Sequence, residues 1–164
     1  MLSVPESLAK HHQIDRFCSN TPSLDDWLHR RANQNQTTGA SRAFVTCDEL
    51  RVVGYYALAS SSVASAAAPP GRFQPNMPDP VPVVVLARLA VDQEYQGKDI
   101  GRALFQDAAR RVLYAAEAIG IRGLIVHTVS EKAKAFYLRL GLDPSPLDPM
   151  TLLVTIADLR AALA

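Results

Sequence analysis

The stretch that decides the fold reads Leu86-Ala87-Arg88-Leu89-Ala90-Val91-Asp92-Gln93-Glu94-Tyr95-Gln96-Gly97-Lys98-Asp99-Ile100-Gly101-Arg102. Its upstream side, from Val83 to Val91, is an almost unbroken aliphatic run interrupted by Arg88, the pattern of a strand buried on both faces of a central sheet. Asp92-Gln93-Glu94 reads as a turn. Beyond it, apolar residues recur at Ile100, Leu104, Ala108, Val112 and Ala115, with Arg102, Gln106, Arg110 and Glu117 between them, which is a stripe of helical period. The loop therefore feeds directly into a helix N-terminus, where unpaired backbone N–H groups and a partial positive charge suit a phosphate or pyrophosphate. Gly97 and Gly101 permit close backbone approach, and Lys98 and Arg102 add charge. Glycines and bases at a helix start also fit a plain strand-to-helix turn. Neither a Walker loop nor the Gly-x-Gly-x-x-Gly dinucleotide pattern is present.

Working outward, 164 residues with 48% hydrophobic content suffice for one domain, 1–164, with a substantial core. Lys and Arg total 17 against 16 Asp and Glu, so the net charge of +1 neither demands nor excludes a nucleic-acid partner. Cys18 and Cys47 read as small hydrophobes, because no Cys or His stands at a zinc-ligand spacing, and no metal is expected. His11 and His12 read as solvated surface, since adjacent side chains do not face each other. With no signal-like start and no apolar run of membrane-spanning length, the expectation is a soluble, cytoplasmic chain away from the membrane.

Upstream of the decisive stretch, residues 5–17 suggest an extended lead-in and a short turn. Thr21-Pro22-Ser23 then opens a helix expected over Leu24 to Gln34, with acids in its first turn and Arg30 and Arg31 near its end. Its Trp27 is expected to pack on the sheet. Ser41 to Cys47 and Arg51 to Ser62 predict an antiparallel hairpin turning at Asp48-Glu49. Ala64 to Pro82 holds six of the eleven prolines and predicts a loop, either a wall of the substrate pocket or a passive connection. Downstream, Gly120 is read as the stop of the long helix. Gly123 to Val129 predicts a buried strand in which His127 is a hydrogen-bonded core residue rather than a base. Ser130 caps a helix that Gly141 ends. Pro144 to Pro149 predicts a turn-rich link, Met150 to Ile156 a last strand, and Asp158 to Leu163 a short helix.

The order strand, Gln-x-x-Gly-x-Gly/Ala loop, long helix, strand, and helix with Ala-x-x-Phe-Tyr-x-x-x-Gly resembles the GNAT acyl-CoA N-acetyltransferases. The loop here is Gln96-Gly97-Lys98-Asp99-Ile100-Gly101, and the later motif is Ala133-Lys134-Ala135-Phe136-Tyr137-Leu138-Arg139-Leu140-Gly141. The resemblance implies an α/β fold of the GNAT type: a mixed central sheet, splayed central parallel strands, and flanking helices. It implies acetyl-CoA as the cofactor, with backbone of Leu89, Ala90 and Val91 along the pantetheine. Gln96, Gly97, Lys98, Asp99, Ile100, Gly101 and Arg102 would receive the pyrophosphate, and Ser130 joins these cofactor contacts. Asp99 stands where the family has its first loop glycine. Aspartate tolerates left-handed angles better than most residues, but its carboxylate is expected to weaken acetyl-CoA binding.

In that family an amine attacks the thioester, and coenzyme A leaves as a thiolate that needs a proton. The resemblance assigns the proton to Tyr137, whose phenol, with a reference pKa of about 10, is neutral at pH 7 and still able to protonate a thiolate. The strand from Val83 to Val91 carries no carboxylate, which disfavours a lysine ε-amine, with its pKa of about 10.4, as the acceptor. An α-amine, near 8 or lower beside an ester, is already substantially neutral at physiological pH. Asp92 and Glu94 remain possible bases, Asp92 more naturally as the turn residue.

Leu24-Asp25-Asp26-Trp27-Leu28, Ala32-Asn33-Gln34, Gly39-Ala40-Ser41-Arg42-Ala43-Phe44-Val45, Gly54-Tyr55-Tyr56-Ala57-Leu58-Ala59 and Leu86-Ala87-Arg88-Leu89-Ala90-Val91-Asp92 extend the resemblance to the GNAT toxins of bacterial toxin-antitoxin pairs. It implies acetylation of the α-amine of aminoacyl-tRNA, inhibition of translation, a ribbon-helix-helix antitoxin and a homodimer. Arg42, Arg88, Lys134 and Arg139 are then candidates for tRNA phosphate contacts, with solvated surface the alternative for each. Acetylation of a small amine or a protein N-terminus, or non-catalytic acyl-CoA binding, are the competing functions.

Overall fold

The computed structural model describes residues 1–71 and 78–163. Seven strands and five α-helices follow in the order β1 (Glu6–Ser7), α1 (Pro22–Arg30), α2 (Ala32–Thr38), β2 (Arg42–Asp48), β3 (Arg51–Val63), β4 (Val81–Val91), α3 (Ile100–Ala116), β5 (Gly123–His127), α4 (Glu131–Arg139), β6 (Asp143–Pro144), β7 (Thr151–Thr155) and α5 (Ile156–Leu163). They form two compact units that interleave along the chain, residues 1–59 with 87–108, and residues 60–86 with 109–164. No helix among the described residues is long and apolar enough to cross a membrane.

In the first unit the strand order is β1-β2-β3-β4, with β1 antiparallel to β2 and β2 antiparallel to β3. The hairpin expected from the period-two pattern is present, and Glu49 makes its turn with φ of 58°. The core gathers Phe17, Leu28, Val45, Val52, Tyr55 and Ala90, with Trp27 packed against it. Trp27 stacks on Tyr55 with ring centroids 5.9 Å apart, so the single tryptophan does pin α1 to the sheet. The helix itself differs from the expectation: it starts at Pro22, breaks at Arg31 (φ −121°) and resumes as α2 to Thr38. Arg31 still donates its N–H to the Trp27 carbonyl and accepts from Asn35, so the interruption is a kink that neither glycine nor proline announces. Gly39 then ends α2 with φ of 81°.

Gly54 sits opposite the β2 irregularity at Thr46 and Cys47. A Cβ there would lie 3.0 Å from Leu104 Cδ1 and from Thr46 Cγ2, so the missing side chain lets the start of α3 approach β3.

In the second unit the order is β4-β5-β7-β6. The pairing of β4 with β5 is parallel, and β5-β7 and β7-β6 are antiparallel, which makes the sheet mixed. Parallel pairing covers Val83–Val85 against Gly123–Ile125, whereas Val126 and His127 have register partners in β7 alone. Val81, Val83, Ile125 and Leu153 form the core, with Val63 and Val85 against it. β4 begins two residues before the expected Val83 and includes Pro82, whose carbonyl accepts from Arg122. The proline segment contains a short 3-10 turn, Ser65–Ala67, and its residues 72–77 lie outside the described residues. α3 stops at Ala116, so Gly120 is not its cap. α4 ends at Arg139 with Leu140 as its cap, and Gly141 follows as the expected left-handed stop, with φ of 98°.

One buried carboxylate holds the turn between β4 and α3. Asp92 is 1% exposed; Oδ2 accepts from the Cys18 N–H at 3.1 Å, Oδ1 accepts from the Glu94 N–H at 2.9 Å, and Arg51 Nη2 lies 3.5 Å away. Asp92→Ala leaves these backbone donors without an acceptor and is expected to cost about 2–3 kcal/mol. Urea unfolding of the two proteins measures the difference; a change below about 0.5 kcal/mol would contradict the assignment.

Candidate active site

The loop expected to hold an anion has the backbone for it. Gly97 and Asp99 both take left-handed angles, φ 79° and 62°, and α3 starts at Ile100. The N–H groups of Ile100, Gly101 and Arg102 belong to the helix's first turn and have no acceptor within their own helix. The first intrahelical bond runs from Ala103 N–H to the Asp99 carbonyl. Asp99 thus adopts the glycine-like conformation that its short polar side chain tolerates, and it is exposed. Around this frame the preceding turn is braced. Arg51 pairs with Glu94 at 3.1 Å, Arg51 and Lys98 both lie over the Tyr95 ring at 5.4 Å, and the Tyr95 hydroxyl donates to Asp48 at 2.7 Å. Gln96 spends its side-chain amide on the carbonyls of Ser19 and Val91, so its side chain acts as a brace for the loop. Arg102 is exposed. Leu89, Ala90 and Val91 form the end of β4, and only Ala90 among them is buried.

Tyr137 lies in α4, buried, with its ring edge-on to Phe136 at 5.0 Å. Burial pushes its phenol far above the ordinary tyrosine value, so the hydroxyl holds its proton throughout the physiological range. Ser130 caps α4, its hydroxyl oxygen accepting from the Ala133 N–H at 3.1 Å. That oxygen is engaged by the helix it starts.

The basic residues named from the sequence differ in setting. Arg42 is exposed and donates to the Gln36 carbonyl at 2.7 Å, tying β2 to α2. Arg88 is half-buried, lies 5.5 Å over the Trp27 ring and donates from Nη1 to the Ala87 carbonyl, while its buried Nε has no hydrogen-bond partner. Lys134 is half-buried and contributes to lowering the Asp148 pKa; Arg139 is exposed in the last turn of α4.

His12 and His127 correct the sequence expectations, while His11 is exposed as expected. His12 is buried, and its ring faces that of His11 at 4.1 Å between centroids, because the chain turns between them. Donor atoms of Glu6, His11 and His12 all lie within 4.8 Å of one another. His12 Nδ1 accepts from the Ala9 N–H at 2.9 Å, which puts the ring proton on Nε2, where it donates to Glu6 at 2.7 Å. A metal on Nε2 would need a proton on Nδ1, against that N–H. The contact is a hydrogen-bonded tie that holds the Glu6 carboxyl below its ordinary value. His127 is exposed at the end of β5 instead of lying in the core. Its Nδ1 meets Thr151 Oγ1 at 3.0 Å, and the Thr151 hydroxyl donates to Asp148 Oδ2 at 2.8 Å. The β5-β7 register that opposes His127 to Thr151 cannot be read from either segment alone. Of the possible carboxylate bases, Asp92 is consumed by its backbone donors and Glu94 is paired with Arg51.

Residues 39–141 match the acetyltransferase (GNAT) domain family. The chain is 48% identical over 161 residues to the tRNA-acetylating toxin of Mycobacterium tuberculosis, covering 98% of this chain and 96% of that protein. It is similar to AtaT complexed with acetyl-methionyl-tRNAfMet, with a TM-score of 0.91, 29% identity and full coverage of both chains. It is also similar to a Tyr-to-Phe mutant of the AtaT toxin bound to the C-terminus of the antitoxin AtaR and acetyl-CoA, with a TM-score of 0.83, 27% identity and coverage of 98% and 97%.

The Met150 N–H and the Thr151 hydroxyl, followed by the charges of His127 and Lys134, hold the Asp148 carboxyl below its ordinary value. A lowered folded value contributes stability above the unfolded value and loses it as pH falls through the folded one. Asp148→Asn should therefore narrow the stability gap between pH 6 and pH 3, with the difference from wild type developing below about pH 4. Thermal melting of both proteins across that range measures it; parallel pH curves would refute it.

Proposed function

Because the chain belongs to the GNAT acetyltransferases, we propose that it transfers the acetyl group of acetyl-CoA to the α-amine of the amino acid on charged tRNA and so stops translation. An acetylated α-nitrogen is an amide and no longer a nucleophile for peptide-bond formation. The likeness to a tRNA-acetylating toxin along nearly the whole chain carries this reading. The chain's own chemistry agrees with it. The left-handed backbone at Gly97 and Asp99, the first-turn N–H groups of α3, Lys98 and Arg102 suit a pyrophosphate. Bound acetyl-CoA supplies the reactive thioester. Backbone of Leu89, Ala90 and Val91 would lie along its pantetheine arm, and Tyr137 would give its proton to the departing sulfur. The absence of a carboxylate on β4 matches an acceptor amine that is already substantially neutral at physiological pH.

In this reading the chain acts as a single acetyltransferase domain. Arg42, Arg88, Lys134 and Arg139 contact phosphates of the acceptor end, Arg88 through a guanidinium already oriented on Trp27. The protein works in the cytoplasm as a homodimer and is held inactive by a ribbon-helix-helix antitoxin.

The experiment follows labelled acetyl from acetyl-CoA into a pool of aminoacyl-tRNAs. Wild type labels the amino acid, and Tyr137→Phe is expected to lower kcat by about 10²-fold with acetyl-CoA affinity within twofold. Label reaching only free small amines would overturn the tRNA reading.

Asp99 complements the α3 N-terminus when no ligand is present and competes with the incoming pyrophosphate. Asp99→Gly should tighten acetyl-CoA binding by roughly two- to fivefold at low salt, the worth of one exposed charge, with the gain shrinking as salt rises. Calorimetry at two salt concentrations measures it, and equal affinities at low salt would exclude the competition.

A further inference from the structure

The proposed reaction lacks an assigned acceptor for the proton that the attacking amine loses. β4 carries no carboxylate, Asp92 is enclosed by its backbone donors, and Glu94 is paired with Arg51. The second unit contains a different arrangement. Asp148 is anchored at the turn before β7, with Oδ1 accepting from the Met150 N–H at 3.0 Å and Oδ2 from the Thr151 hydroxyl at 2.8 Å. An ionised carboxylate only accepts, so the Thr151 hydroxyl proton must point to Asp148. Thr151 Oγ1 therefore offers only lone pairs to His127 Nδ1, 3.0 Å away, and the contact requires a proton on Nδ1. In the neutral ring Nε2 is then left with a lone pair, and no described residue hydrogen-bonds to it. The orientation is enforced from both sides: Thr151 is buried and opposite His127 in the β5-β7 register, and the Thr128 hydroxyl and N–H both donate to the Met150 carbonyl, fixing the adjoining backbone.

We propose that His127 is the general base of this enzyme, its Nε2 taking the proton from the substrate α-amine, with Thr151 and Asp148 as positioning residues that fix its tautomer. The inference deepens the acetyltransferase reading and rests on it. His127 is exposed at the end of β5, beyond the residues that pair with β4, and Nε2 has no hydrogen-bond partner among the described residues. The charged groups around this relay are Asp148 itself and Lys134 of α4. Imidazole is the side chain suited to accepting a proton near neutrality. The step balances. A C–N bond forms as the thioester C–S bond breaks, the amine proton passes to His127 Nε2, and the departing sulfur takes the proton of the Tyr137 hydroxyl. Water then removes the proton from the imidazolium and returns one to the tyrosinate.

The test uses the full chain, charged tRNA and acetyl-CoA, with wild type measured first. His127→Ala is expected to lose about 10²-fold or more in kcat, with little change in KM for charged tRNA or in acetyl-CoA affinity, and added imidazole should restore part of the rate. Thr151→Val keeps the shape of the buried side chain but removes the oxygen, and should lower kcat without raising KM, whereas Thr151→Ser should recover most of it. Wild-type transfer with an unimpaired His127→Ala, or a loss confined to KM that imidazole does not relieve, overturns the base assignment and leaves the acetyltransferase reading standing. A wild type that acetylates no charged tRNA overturns that reading, and this inference with it.

Discussion

The buried Asp92 carboxylate is the constraint on which the first unit depends. Both of its oxygens accept backbone N–H groups, one from the segment before α1 and one from the turn after β4, and hydrogen bonds to a buried charged acceptor are among the stronger ones. The turn is therefore held to one geometry. Tyr95, over which Arg51 and Lys98 both lie, and Gln96, bonded to Ser19 and Val91, extend that hold into the loop. Gly54 adds the close approach of α3 to β3. The exposed loop that enters α3 is thus held by side chains outside its own turn.

The second unit has an analogous device of smaller scale. Asp148 is fixed by the backbone of Met150, the Thr151 hydroxyl is fixed by Asp148, and the His127 ring is fixed by Thr151. Burial pushes the Tyr137 phenol further above the ordinary tyrosine value. In the proposed reaction Lys98, Arg102 and the start of α3 hold a diphosphate, while Tyr137 and His127 move protons. The chemistry of each matches its surroundings: an exposed, glycine-containing loop for an anion that arrives from water, and a buried phenol for a proton that must not be lost early.

Much of the fold was legible because it rests on local periodicity. The period-two runs of β2 and β3, the aliphatic run of β4, the helical stripe of α3, and the cap at Ser130 with its stop at Gly141 all appear where their patterns require. The kink at Arg31 was not legible, since it carries no breaker and keeps its backbone hydrogen bonds. The expectation for His12 failed for a related reason, while His11 is exposed as expected. Neighbouring side chains diverge in regular elements, but these two lie in a turn that brings the rings together and buries one of them.

The sequence by itself determined the order of elements, the loop that enters α3, the motif containing Tyr137, and the unusual Asp99, because each is carried by residues adjacent in the chain. Only the tertiary structure decided which polar groups are free to act. It consumed the carboxylate of Asp92, turned Gln96 and Ser130 to structural bonds, stacked Arg88 on Trp27, and left His127 Nε2 open behind a threonine and an aspartate from another strand and its turn. The physical reason is that hydrogen-bond satisfaction is settled between segments distant in sequence, whereas hydrophobic period and turn chemistry are properties of a short local run.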